Sequence, residues 1–205
     1  MEPEVRYDDS PKCVFVTGMP KTGVFALARS IASEMQIPYV QLVKDRQFYA
    51  QLSKPHLPGS FEHSEMLSLC RVTIARAMEP LTRPAVIEGL AALPLAEDML
   101  ERGHGLVVVR PPSWDTYKRI LCPTTAMDRE STVLEFEWDC LFTGFLQDLY
   151  DRFAAMAERL ADLTHQRVVT YNYPEHIYLN RPKMLRVFGM VDEQFRSVPG
   201  GGFGE

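Results

Sequence analysis

The chain has 205 residues, of which 46% are hydrophobic and 24% charged, as expected for one globular domain. A formal net charge of -5 excludes a general electrostatic attraction to nucleic acid, and no apolar run reaches the roughly 18 residues that span a bilayer. The polar, acidic segment 1–12 does not fit a signal peptide, and four cysteines without a CxxC pair indicate a reducing compartment, so we expect a cytoplasmic protein without a membrane partner.

Five short apolar runs, each rich in valine or isoleucine, predict β-strands at 13–17, 39–43, 85–88, 105–110 and 167–171. None alternates strictly, which is typical of strands covered on both faces in a parallel sheet. Helical patterns at 24–35 and 64–78 lie between the strands. The alternation predicts an α/β fold, a doubly wound five-stranded parallel sheet with helices on both faces.

Two further segments complete the expected domain, which we place at 1–196, before a flexible glycine-rich tail at 197–205. The segment 111–129 contains three prolines and three basic residues and is predicted to be a loop. After Ser131, the pair Thr132 and Glu135 predicts a capping box. An apolar face of helical period then continues to Leu160 and predicts a long helix.

The strongest local motif connects the first strand to the first helix. Gly18 and Gly23 have the GxxxxG spacing of a phosphate-binding loop, and Lys21 adds a cation between them. A helix N-terminus offers unpaired N–H groups and partial positive charge to an anion. The two positions after the second glycine, usually Lys and Ser/Thr, are Val24 and Phe25. The alternative interpretation is a tight turn without a ligand.

Polar residues follow the second and third strands, at the sheet edge where α/β proteins bind ligands. Asp45 is a candidate general base or metal-water ligand, and Arg46 a candidate phosphate ligand, unless the two form a solvated pair at a helix start. Glu88 is a candidate metal or proton acceptor, or else caps the turn after its strand. Phe48 and Tyr49 are candidates for stacking on a base, or else close the edge of the core.

At this loop, at Ile87-Glu88-Gly89 and at Arg110-Pro111-Pro112, the chain resembles the P-loop kinases. The resemblance covers 13–178 and is strongest to the deoxynucleoside-monophosphate and thymidylate kinase-like proteins common in bacteriophages. It implies a P-loop NTPase type of sheet, ATP and Mg²⁺ as cofactors, and transfer of the γ-phosphate to a nucleoside monophosphate or a modified base in DNA. It also implies a lid at 111–129.

The resemblance implies a site made of two sets of residues. The catalytic candidates are Lys21, Asp45, Glu88, Arg119 and Arg129. The nucleotide-binding candidates are Gly18, Met19, Pro20, Lys21, Thr22, Gly23, Val24 and Arg110, with Arg46, Phe48 and Tyr49 on the acceptor. A nucleotide is the expected partner, and DNA and a second copy of the chain remain open.

A second resemblance is to sulfotransferases, whose loop for the sulfate donor often contains Pro-Lys-Ser/Thr-Gly, as in Pro20-Lys21-Thr22-Gly23. Their Arg-x-Pro pattern after a strand is similar to Arg110-Pro111-Pro112. This resemblance implies 3′-phosphoadenosine 5′-phosphosulfate as donor. A third interpretation is a non-catalytic nucleotide-binding protein of the same fold. Magnesium dependence separates phosphoryl from sulfuryl transfer, and binding without turnover would indicate the third.

Overall fold

All five predicted strands are present and form one parallel sheet in the order β2-β3-β1-β4-β5. The computed structural model describes residues 11–42, 61–121, 145–162 and 167–173. The strands are β1 (Val14–Gly18), β2 (Tyr39–Gln41), β3 (Val86–Glu88), β4 (Gly105–Arg110) and β5 (Val168–Asn172). The first strand is therefore the central one, and it pairs with strands far along the chain: Val14 lies opposite both Val86 and Gly105.

In the described ranges, five helices and a short 3₁₀ turn pack on this sheet. They are α1 (Val24–Glu34), α2 (Phe61–Met78), the turn Leu90–Ala92, α3 (Ala96–Glu101), α4 (Trp114–Leu121) and α5 (Phe145–Asp162). The predicted helices at 24–35 and 64–78 correspond to α1 and α2, and α5 contains the predicted apolar face from Leu149 to Leu160. The predicted capping box and the glycine-rich tail lie outside the described residues.

The sheet divides the core into two apolar layers, as a doubly wound fold requires. On one face, valines of β1, β3, β4 and β5 pack against Leu27, Ala28 and Ile31 of α1. On the other face, Phe15, Ile87 and their neighbours pack against residues of the other four helices. From β1 the chain passes to β2 at one edge of the sheet, and each later strand lies further towards the other edge. Right-handed crossovers therefore place α1 on the opposite face from the other described helices.

The prediction of a loop over 111–129 was wrong for its first half, because α4 occupies Trp114–Leu121. Ser113 begins this helix: its hydroxyl accepts a hydrogen bond from the Thr116 amide at 3.4 Å. Tyr117 is fully buried and belongs to the larger core layer. The two prolines before Ser113 therefore precede a helix, a position that proline tolerates, rather than opening a long irregular loop.

Candidate functional site

The candidate site lies at the carboxyl end of β1. There the chain leaves β1 on one face of the sheet and enters α1, whereas it leaves the neighbouring strands β3 and β4 on the other face. Diverging connections of this kind leave a crevice at the carboxyl ends of the strands. The predicted phosphate loop, 18–23, lies at this crevice.

Gly18 allows the helix to begin directly against the end of the strand. A Cβ atom on Gly18 would collide with Cγ2 of Val24 and lie 3.1 Å from Cβ of Val109. Val24 is 3% exposed, so its side chain fills the space between the loop and the sheet. The absence of a side chain at residue 18 thus brings the first turn of α1 close to β4.

The loop itself is a tight turn anchored from the inside. The Thr22 amide and hydroxyl both donate hydrogen bonds to the Met19 carbonyl, at 3.3 and 2.6 Å. Met19 and Thr22 are fully buried, whereas Lys21 is exposed. Lys21 and Gly23 have positive φ angles, 63° and 80°. Turns of this kind expose successive backbone amides, and a left-handed non-glycine residue is typical of strained functional loops.

The N-terminus of α1 lacks the usual capping and acidic side chains within the described residues. Gly23 is the N-cap, no side chain caps the helix within the described residues, and its first turn contains no acidic residue. The first helical hydrogen bond runs from the Leu27 amide to the Gly23 carbonyl at 3.0 Å. The three preceding amides, at 24–26, have no intrahelical acceptor and carry the positive end of the helix dipole.

A cleft with a volume of about 290 Å³ opens in front of these amides. It is lined by Gly18, Met19, Pro20, Lys21, Gly23, Val24, Phe25, Ala26, Glu88 and Leu90. The structure therefore brings together the predicted loop and the predicted carboxylate of β3. Within 18–26, Thr22 is the only residue that does not line the cleft, since its side chain points into the protein.

Glu88 is 2% exposed and is held by polar residues of the neighbouring strand. Its Oε2 atom accepts hydrogen bonds from the Tyr39 hydroxyl at 3.2 Å and from Nε2 of Gln41 at 3.1 Å. The register of β2 on β3 places Gln41 directly beside Glu88. Burial and the negative charge of Glu88 raise the pKa of Tyr39 above its usual range. Tyr39 therefore stays a protonated donor.

Phe25 gives the cleft an aromatic wall that was not predicted. It is 44% exposed, its ring lies edge-on to Tyr39 at 5.8 Å, and the guanidinium of Arg29 lies 5.4 Å from its centre. An exposed aromatic residue is informative mainly when it borders a pocket. In the sequence, Phe25 stands out only as a departure from the phosphate-loop pattern.

Tyr117 connects α4 to the loop and was also missed. Its hydroxyl donates a hydrogen bond to the Pro20 carbonyl at 3.0 Å. Its ring stacks on Tyr150 of α5 at 5.7 Å and lies 6.1 Å from Trp114. The sequence did contain a usable signal, since Ser113 and Thr116 have the pattern of a helix start.

Two predicted residues that the structure describes, Arg110 and Arg119, are not part of the cleft lining. Arg110 ends β4, and its Nη2 lies 3.3 Å from the Glu158 carboxylate of α5. Arg119 is exposed on α4. Asp45, Arg46, Phe48, Tyr49 and Arg129 lie outside the described residues. Their predicted roles stay predictions.

The described side chains around the cleft offer donors and positive charge to a phosphate group, and one carboxylate, Glu88, lies among them. Exposed Lys21 and the amides at 24–26 offer positive charge and donors. Magnesium requires near-octahedral oxygen ligands. No group of three or more His, Cys, Asp or Glu side chains that could hold a metal occurs in the described part of the chain.

Comparisons with known proteins leave the family open. No family model matches the chain, and no curated protein matches it significantly. Among solved structures, it is similar to an uncharacterized protein from Eubacterium ventriosum, with 13% identity and a TM-score of 0.40. That alignment covers 88% of this chain and 98% of the other. No helix within the described ranges is both long enough and apolar enough to cross a membrane.

Proposed function

We propose that this chain is a nucleotide-binding protein of the P-loop type, which holds the phosphates of a nucleotide at 18–24 and transfers the terminal group. One observation carries this proposal: the uncapped N-terminus of α1 and exposed Lys21 face one cleft at the carboxyl end of the central strand. The anion gains hydrogen bonds from the amides and charge from Lys21 and the helix. Glu88, which also lines the cleft, would orient an acceptor group that donates a hydrogen bond.

Transfer of the ATP γ-phosphate to a (deoxy)nucleoside monophosphate or to a modified base in DNA is the first reaction we propose. The loop would hold the donor phosphates, and Glu88 would accept the proton of the attacking hydroxyl. Kinases also use magnesium to neutralise the transferred group. Glu88 is the one carboxylate among the described lining residues, and Asp45 is the sequence candidate for a second magnesium ligand.

Sulfuryl transfer from 3′-phosphoadenosine 5′-phosphosulfate is a second candidate, favoured by a specific observation. The loop lysine lies between the two glycines, at 21, and the positions after Gly23 are apolar. Sulfuryl transfer needs no bridging metal, so it is compatible with a cleft of this composition. A protein that binds a nucleotide without turnover would share the same loop.

The test begins with binding and ends with turnover. Calorimetric titration with ATP, ADP and adenosine 3′,5′-bisphosphate should show binding that weakens roughly tenfold in Lys21→Met, the loss expected for a charge-assisted contact. Lys12→Met, at the opposite end of β1, is the matched control and should bind normally. Labelled ATP with nucleoside monophosphates and modified DNA, and labelled phosphosulfate with hydroxyl acceptors, then separate the reactions. Normal affinity in Lys21→Met would contradict the proposed site.

A further inference from the structure

In phosphate loops of the pattern GxxxxGK[ST], the hydroxyl after the lysine binds magnesium. The corresponding residue here is Phe25, whose ring contacts Tyr39 and Arg29. The Phe25 side chain, which has no oxygen to offer a metal, therefore takes the place of that hydroxyl. The preceding residue, Val24, is buried against Gly18 and provides no cation.

The Thr22 hydroxyl, three residues before Phe25, is not available to the cleft. The Thr22 hydroxyl is fully buried and donates to the Met19 carbonyl at 2.6 Å. That hydrogen bond belongs to the turn that shapes the loop, so rotating the hydroxyl outwards would disrupt the loop. Thr22 therefore cannot replace the missing ligand at 25.

Among the described residues that line this cleft, Glu88 is the one carboxylate, and hydrogen bonds from β2 fix its position. Both the Tyr39 hydroxyl and the Gln41 amide donate to the same oxygen, Oε2. A phosphate bound in the cleft without a metal would meet a like charge in Glu88. A phosphate bound through a metal would instead gain from it. The sign of the Glu88 contribution to affinity thus separates the two modes of binding.

We infer that the loop binds the phosphate group of its ligand without a divalent cation. Of the described residues, Lys21 and the amides at 24–26 supply the counter-charge, and the ligand is the metal-free form of a nucleotide phosphate. This inference rests on the proposed phosphate binding and, of the two proposed reactions, agrees with sulfuryl transfer, which needs no bridging metal. Magnesium in solution neutralises the charge that Lys21 recognises, so it weakens binding or leaves it unchanged.

The experiment titrates the full chain with ADP and with adenosine 3′,5′-bisphosphate, in EDTA and in excess magnesium chloride. The expected affinity in EDTA equals or exceeds that in magnesium. Glu88→Gln should bind about fivefold more tightly in EDTA, because a like charge is removed from a partly desolvated cleft. Glutamine keeps one oxygen for the Tyr39 and Gln41 donors, and an unchanged melting temperature would verify that the variant is folded.

Each outcome decides the question. Binding that is at least tenfold tighter in magnesium, or weakened by Glu88→Gln, overturns the inference while leaving the proposed function intact. Absence of binding in both buffers overturns the proposed function and this inference together. If Glu88→Gln does not fold, Lys21→Met provides the second measurement: the inference expects the same fractional loss of affinity in both buffers, and a loss confined to magnesium overturns it.

Discussion

Gly18 lies where β1, α1 and β4 meet, and it leaves no room for a side chain. Because Gly18 has no Cβ atom, Val24 can pack against it, and the N-terminus of α1 can lie at the cleft. At this scale the loop was predictable, since the two glycines and Lys21 have a recognisable spacing. The aromatic wall at Phe25 was not predictable, because its contacts with Tyr39 and Arg29 depend on tertiary packing.

Gly18→Ala should destabilise the protein by about 1–3 kcal/mol, the usual cost of forcing a group into a packed core. The new methyl would push against Val24 and Val109, so α1 must shift away from the sheet. Urea unfolding measures the loss, with Ser33→Ala on the exposed side of α1 as control. Equal stability of the two variants would mean that α1 adjusts freely at this contact.

The buried side chain of His104 should make the stability of the protein depend on pH, with a loss of stability as the pH falls. It is 1% exposed, and its Nδ1 accepts a hydrogen bond from the Cys13 amide at 3.1 Å. Burial, together with Lys12, Arg102 and Arg167, lowers its pKa to about 4. The unfolded chain takes up a proton near pH 6.5, whereas the folded chain does not.

Stability is therefore complete above about pH 6.5 and falls as the pH is lowered towards 4, below which this residue changes nothing further. The expected loss over this range is about 3 kcal/mol. His104→Asn can retain an acceptor for the Cys13 amide but cannot titrate. The difference in unfolding free energy between the wild-type protein and His104→Asn should shrink as the pH is lowered over the same range. A constant difference would contradict the lowered pKa of His104.

Among the elements, α4 is the one that sequence patterns missed and the site requires. The prolines and basic residues of 111–129 favour a loop, and only eight residues of helix follow. Its role at the loop depends on the contact from Tyr117 to the Pro20 carbonyl, which joins residues far apart in the chain. Local patterns cannot predict such a contact. The five strands were predicted well because their apolar character is itself local.

Tyr117→Phe should cost about 1 kcal/mol of stability and weaken phosphate binding several-fold, because it releases the Pro20 carbonyl and loosens the loop. Tyr150→Phe is a matched control, since the Tyr150 hydroxyl donates to the Pro112 carbonyl at 2.6 Å and not to the loop. Hydrogen exchange of the amides at 20–24 measures the difference. Faster exchange in both variants would show that the aromatic cluster, and not the contact to Pro20, holds the loop.

At the scale of the whole molecule, the sequence predicted a sheet covered on both faces but not the order of its strands. Continuous apolar strands indicate a covered parallel sheet, yet they do not indicate which strands are neighbours. The order β2-β3-β1-β4-β5 places the loop between strands whose connections leave on the other face. That arrangement makes the cleft, and it follows from long-range pairing rather than from any local motif.

The larger core layer should protect two thiols until the whole molecule opens. Cys13 and Cys70 are free and fully buried, and burial raises their pKa values to about 11 and about 12. Maleimide labelling followed by mass spectrometry should modify them at the rate of global unfolding. Labelling of Cys70 well before Cys13 would show that α2 opens independently of the sheet.

The central position of β1 also affects synthesis on the ribosome. Val14 finds its first partner at Val86 and its second at Gly105. At a translation rate of roughly 10 residues per second, an emerging β1 waits for several seconds with exposed apolar side chains and an unpaired backbone on both edges. During that interval it has the features that chaperones recognise and that promote association between nascent chains. Premature termination before 105 would leave the strand without its second neighbour, so truncated products should aggregate rather than persist as partly folded domains.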